Sequence, residues 1–132
     1  MTAVAIGTEI PSLARRADEV DLFLVSAAMW VPHRIHYDRD YVRSEGHADL
    51  LVHGPLQGAW MAQMLTRWAR PLGGRLLALS WRNRRPVFSG DAVICRGTVT
   101  EVSDGVAACE VWVEREADGE RTTVGRAEVR LG

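Results

Sequence analysis

The chain has 132 residues and a net charge of −1, with 17 acidic against 16 basic side chains. That length allows one domain (1–132) with a genuine core but hardly two, and the near-neutral charge argues against a general binder of nucleic acid or other polyanions. Cys95 and Cys109 stand in no CxxC or Cys/His cluster and read as reduced packing residues; the first residues lack the basic and apolar regions of a signal peptide, so a cytoplasmic protein is expected.

Residues 9–17 alternate loosely and include Pro11, which predicts an edge strand. Asp18, Glu19 and Asp21 then precede an apolar run over 22–30, which predicts a short buried helix ended by Val31-Pro32. Residues 33–43 read as a polar loop in which His33 and His36 sit three apart and Asp38 caps a brief helical turn. A loop over 44–49 and the apolar Leu50-Leu51-Val52 lead into the chain's one long helix, predicted over 53–70. Gly54 and Pro55 open that helix, Arg67 and Arg70 suit its last turn, and Pro71 with Gly73-Gly74 stops it. Leu56, Ala59, Trp60, Met64 and Trp68 recur at helical spacing while Met61, Ala62, Leu65 and Ala69 fill much of the other side. A helix apolar nearly all round is a buried helix, and this one is too short and too often polar to span a bilayer.

After the helix the period becomes two. Leu77, Leu79 and Trp81 alternate with Ala78, Ser80 and Arg82, a strand leaving into Asn83-Arg84-Arg85-Pro86. Gly90-Asp91 turns the chain into a strand over 92–102, and Ser103-Asp104-Gly105 makes a hairpin connection. The next strand, over 106–116, carries Ala107, Cys109, Val111 and Val113 on one face; a last strand carries Thr123, Gly125, Ala127, Val129 and Leu131 on one face and Arg126, Glu128 and Arg130 on the other. The order is α+β, with an antiparallel curved sheet able to wrap one long central helix, which is a single hot-dog fold. One such unit leaves a sheet edge and part of a face uncovered, so pairing of two units is expected.

Arg34-Ile35-His36-Tyr37-Asp38, followed by Val52-His53-Gly54-Pro55-Leu56, resembles the MaoC-like, R-specific enoyl-CoA hydratases and dehydratases, nearest to the mesaconyl-CoA hydratase-like branch. The resemblance runs from about Leu22 to Leu131. It implies a hydratase or dehydratase acting on an α,β-unsaturated or 3-hydroxy acyl thioester, carried on CoA or a carrier protein, with no metal and no cofactor. It also implies a homodimer, or a heterodimer with another hot-dog chain. In the family a histidine works as general acid/base beside an aspartate five residues earlier, in a pattern like Asp-x-Asn-Pro-x-His. The histidine matches His36, whereas Val31 takes the aspartate's place and His33 and Arg34 take those of Asn-Pro. Mesaconyl-type relatives often have Asn-Gly-His-Arg-Ile-His here, which accounts for His33 but not for Val31-Pro32.

The family's oxyanion hole uses the N–H of the glycine opening the central helix, here Gly54, and a helix N-terminus is a preorganised site for an enolate oxygen. With Val31 unable to supply a proton, acid/base work falls to His36, helped by His33 or a substrate group. On spacing alone His36 reads as a loop histidine bonded to a backbone carbonyl; the family match turns that reading to catalysis. His33 stands open between a second substrate-positioning group and a structural loop residue, and His53 reads as ordering the loop before the helix. Trp60, Met61, Met64 and Trp68 read as core, with one or two lining an acyl pocket. Arg82, Arg84 and Arg85 form either a solvated strand end or a clamp for CoA phosphates. A supporting subunit of a hetero-oligomer is the competing reading, as is a biosynthetic dehydratase or cyclase acting on a non-CoA intermediate. A hot-dog thioesterase is weaker, because the central helix offers only Gln57 and Gln63 where those enzymes place a carboxylate.

Overall fold

A computed structural model describes residues 3–132. In chain order the elements are β1 (Glu9–Arg15), α1 (Glu19–Ala28), a 3-10 turn (Arg34–His36), α2 (Arg39–Ser44), α3 (Gly54–Ala69), a second 3-10 turn (Arg70–Leu72), β2 (Arg75–Asn83), β3 (Val93–Ser103), β4 (Val106–Arg115) and β5 (Arg121–Arg130). The five strands form one sheet in the order β1-β3-β4-β5-β2, antiparallel throughout. The sheet curls around α3, which is the hot-dog arrangement.

The period-two reading holds along the first part of β4 and in β3 as far as Val99, where a register shift between Val99 and Glu101 interrupts it. Val93, Cys95 and Val99 of β3 and Ala107, Cys109, Val111 and Val113 of β4 are buried, and in-register pairs such as Cys95 with Val113 and Val99 with Cys109 stack them into rows. Both cysteines are free, and burial pushes their thiols up to about 12 and about 11, so they stay protonated and pack as small apolar groups. Asp104 and Gly105 both take positive φ, 52° and 75°, the backbone required by a two-residue hairpin whose twist matches its strands.

Four expectations need correction. The helix over 22–30 is not buried: only Leu22 and Ser26 of α1 are, while Val20, Phe23 and Leu24 are exposed. At 3.6 residues per turn Leu22 and Ser26 share a face, and the other apolar residues of a continuous run necessarily point away from it. Nor does Pro32 end the helix. Val31 N–H donates to the Ser26 carbonyl and Trp30 N–H to the Ala27 carbonyl, with Trp30 at φ 56°, a Schellman closure carrying tryptophan where glycine is usual. In β2 a register shift between Leu76 and Ala78 resets the alternation: Leu76, Leu79 and Trp81 lie opposite Val129, Ala127 and Gly125, and Leu77 falls at the bulge and is exposed. Along α3, too, the burial is less complete than the apolar count implies, since Pro55, Ala59, Gln63, Thr66 and Arg70 leave one stripe exposed.

The helix is seated against β2 and β5 by specific contacts. Gly58 packs on the Trp81 ring and Gly54 on the Asn83 side chain so closely that a Cβ at either would lie 2.6 Å or 2.3 Å from its neighbour. Between them the buried Gln57 accepts hydrogen bonds from the hydroxyls of Thr122 at 3.3 Å and Thr123 at 2.5 Å. Replacing Gln57 by leucine takes the acceptor from Thr123 and leaves Thr122 only the Val113 carbonyl at 3.2 Å, with an expected loss of about 1–3 kcal/mol in urea unfolding. Adding Thr123→Val to that variant should cost less than the sum of the two single changes, and strict additivity would show that the two residues are not coupled.

Candidate active site

The sequence between α1 and α3 builds a compact turn around His36. His33 Nδ1 accepts from Ile35 N–H and so caps the 3-10 turn; Arg34 pairs with Asp38 at 2.7 Å, and Asp38 in turn accepts from Tyr41 N–H at the start of α2, as its spacing predicts. Tyr37 Oη donates to the Pro32 carbonyl. The turn is tied to the segment leading into α3 by a reciprocal pair: Leu51 N–H donates to the Ile35 carbonyl, and His36 Nδ1 lies 2.7 Å from the Leu51 carbonyl.

That last contact determines the tautomer. A carbonyl oxygen only accepts, so Nδ1 carries the proton and Nε2 keeps its lone pair. His36 is 9% exposed. Burial lowers its pKa below the usual histidine value, partly offset by the bond to Leu51 and reinforced by nearby His33. His36 is therefore held as a neutral base.

Directly behind it lies His53, with ring centroids 3.7 Å apart and planes 18° from parallel. His53 is 1% exposed. Its Nε2 is 2.8 Å from the hydroxyl of Ser26, and its Nδ1 is buried with no partner among the described residues. Burial, with His36 as the lesser cause, holds its pKa at about 4. His53 gives α3 no side-chain cap, and Pro55 in the first turn has no N–H to be satisfied, so the helix N-terminus at Gly54 is left open beside the stacked rings.

The remaining candidates fall around this centre. Val31, half-buried, occupies the position after the Schellman tryptophan and brings no charge to His36. Trp60 belongs to the buried core. Arg82, Arg84 and Arg85, with Asn83, Glu120 and Arg121, line a cleft of about 410 Å³ at the end of β2; Arg85 is paired with Glu120 at 2.9 Å. Among the described residues none of these arginines bonds to His33, His36 or His53, and Asn83 is the link between their cleft and Gly54. Among the same residues no cluster of histidine, cysteine or carboxylate side chains is placed to hold a metal ion, and no helix is long and apolar enough to cross a membrane.

Sequence reasoning missed Ser26, the Leu51 carbonyl and Asn83. For Ser26 a signal existed: it is the one hydroxyl in an apolar helical run, four residues after the buried Leu22. The other two act through contacts between distant segments and leave no local mark.

An antiparallel sheet of five strands curled around α3 defines a hot-dog protein. Residues 8–89 match the model of the hydroxyacyl-thioester dehydratase type 2 family, and the chain belongs to that family. It is 42% identical over 69 residues to the mesaconyl-C(4)-CoA hydratase of Chloroflexus aurantiacus, a match covering 51% of this chain and only 23% of that longer relative. Among solved structures, the (R)-hydratase of A. caviae involved in PHA biosynthesis superposes with a TM-score of 0.90 at 21% identity, covering 100% of both chains. A chain of the ChsH1-ChsH2 complex of Mycobacterium tuberculosis gives 0.88 at 22% identity, covering 98% of this chain and 100% of its own. At such identities these likenesses establish the fold.

The histidine pair makes stability depend on pH. Unfolded, His53 titrates near 6.5, and folded near 4. Above pH 6.5 both states are neutral and stability is level. As the pH falls from 6.5 towards 4 the unfolded chain takes up a proton that the folded chain refuses, so folding weakens by on the order of 3 kcal/mol from this group. Urea midpoints should fall through that window, and His53→Phe should lose most of the slope; a wild-type midpoint level down to about pH 4.5 would contradict the burial of a neutral His53.

Proposed function

We propose that this chain adds or removes water at an α,β-unsaturated acyl thioester, the 3-hydroxyacyl thioester being the other side of the equilibrium. The observation that carries the reading is His36, with its proton on Nδ1, standing beside the uncapped start of α3 at Gly54. In the dehydrating direction Nε2 takes the proton from the α-carbon. The C–H electron pair enters an enolate whose oxygen is held by Gly54 N–H, a donor typically worth roughly 3–4 kcal/mol at the transition state. The C=C bond then forms as the C–O bond breaks, and the imidazolium returns its proton to the departing hydroxyl as water. Because Val31 has no proton to give, His36 performs both transfers, which requires the α-proton and the hydroxyl to leave from one face of the substrate.

His33 holds the turn that presents His36. The cleft of Arg82, Arg84 and Arg85 suits the phosphates of a thioester carrier, since planar guanidinium groups match phosphate oxygens. The exposed edge β2 and the apolar residues Phe23, Leu24 and Trp30 offer surfaces for a second copy or another hot-dog chain.

Val31 also favours a second reading, a supporting subunit whose partner carries the acid. A structural neighbour named as a two-component complex supports that partner class.

The test is turnover of 2-enoyl-CoA and 3-hydroxyacyl-CoA thioesters followed by the conjugated-thioester absorbance. His36→Ala should reduce it by about 10²- to 10⁴-fold. Because the base is active when neutral and its pKa is lowered, kcat/KM should be level near neutrality and decline only below pH 6.5. A folded His36→Ala variant with full activity would overturn the mechanism. Silence of the wild type, with turnover gained by Val31→Asp, would favour the supporting-subunit reading.

A further inference from the structure

The proposed mechanism leaves unused the most completely buried titratable side chain near the site, His53, together with its partner Ser26. Their geometry nevertheless connects three parts of the site. The Ser26 carbonyl receives Val31 N–H, which closes α1. The Ser26 hydroxyl lies 2.8 Å from His53 Nε2. The His53 ring lies flat on His36 at 3.7 Å and immediately precedes Gly54.

His53 is poorly suited to carry a proton. A stack offers no hydrogen bond between the two rings, so no proton can pass between them directly. Were His53 cationic, both ring nitrogens would need acceptors, and buried Nδ1 has none among the described residues. Even neutral, the ring leaves that nitrogen unsatisfied, a cost that a leucine or phenylalanine here would avoid. A fold that retains such a group calls for a use of it.

The use lies in what the Leu51 bond cannot do. One hydrogen bond from Nδ1 selects the tautomer of His36 but leaves the ring free to tilt about that bond. A parallel ring against its face removes the tilt, and Ser26 in turn holds that second ring. We infer that Ser26 and His53 are positioning residues that lock the plane of His36, doing for the imidazole the orienting work that no carboxylate performs at Val31. The other ionisable groups facing His36 are His33 on its own turn, 6.3 Å away edge to face, and, beyond His33, Tyr41 of α2; α1 contributes only the Ser26 hydroxyl. The kinetic part of this inference rests on the hydratase reading, whereas the orientation of the ring does not.

The two parts are tested together by 15N-edited NMR of the imidazole rings and by steady-state kinetics on Ser26→Ala, His53→Ala and His53→Phe. In the wild type His36 should show the pattern of a neutral ring protonated at Nδ1. In Ser26→Ala and His53→Ala that tautomer, selected by the Leu51 carbonyl, should persist, while the His36 ring signals broaden as the ring samples several tilts. Turnover in both should fall roughly 10- to 100-fold with KM within about two-fold, the size of effect expected when a reacting group is misplaced without loss of binding. His53→Phe keeps a flat ring against His36 but not the Ser26 bond, so it should narrow the His36 signals and recover part of the turnover lost in His53→Ala. A folded His53→Ala protein with unchanged His36 signals would overturn the inference, as would a His53→Phe protein as impaired as His53→Ala. If the His53 variants do not fold, Ser26→Ala decides alone: altered His36 signals support the inference and unaltered signals overturn it. Should the wild type turn over none of the thioesters, the NMR arm still decides the positioning role, and only the hydratase reading falls.

Discussion

The structure depends on how closely α3 can approach β2. Gly58 admits the Trp81 ring and Gly54 admits Asn83, while Gln57 between them is held by two threonine hydroxyls of β5. These contacts hold the first turn of α3 against the sheet. Because that turn also presents the backbone N–H of Gly54, the packing constraint and the position of the candidate oxyanion donor are one feature. The same helix start carries His53, so the seating of α3 also determines where the His36 ring rests. A small change in helix height would therefore alter both partners of the proposed reaction at once.

The chemistry follows from what is missing as much as from what is present. A carboxylate beside a histidine does two things: it orients the ring and it favours the imidazolium, raising the pKa. At this site the second effect is absent, and burial acts the other way, so His36 is held as a base. In the proposed account orientation comes instead from neutral groups, the Leu51 carbonyl and the His53 ring. Such a site favours proton abstraction over proton donation. In the proposed mechanism donation depends on the proton that His36 has itself just collected, since no permanent acid stands beside it.

Much of the fold was legible because burial imposes a period. Ala107, Cys109, Val111 and Val113 are apolar because every second residue of this stretch faces the core, and Gly54-Pro55 announces a helix start by the backbone chemistry of those two residues. The errors have equally physical causes. Apolar content without a period, as in α1, does not say which side is covered, so Phe23 and Leu24 were assigned to a core they do not enter. A bulge shifts phase without a local signal, and so Leu77 was given the wrong environment. At the site, the candidacy of His36 and Gly54 was readable from motif resemblance. The stacked ring and its serine were not, because they connect segments 27 residues apart in the chain, and His53 looked like a loop residue until the helix brought it under His36.

The central claim is that His36 removes an α-proton while the start of α3 holds the thioester oxygen. It is tested most directly with a saturated acyl-CoA, which has no hydroxyl to lose and so isolates that step. Incubated in D2O with the protein and followed by NMR or mass spectrometry, the thioester should exchange hydrogen for deuterium at its α-carbon with the wild type and not with folded His36→Ala. Equal exchange with both proteins would contradict the account.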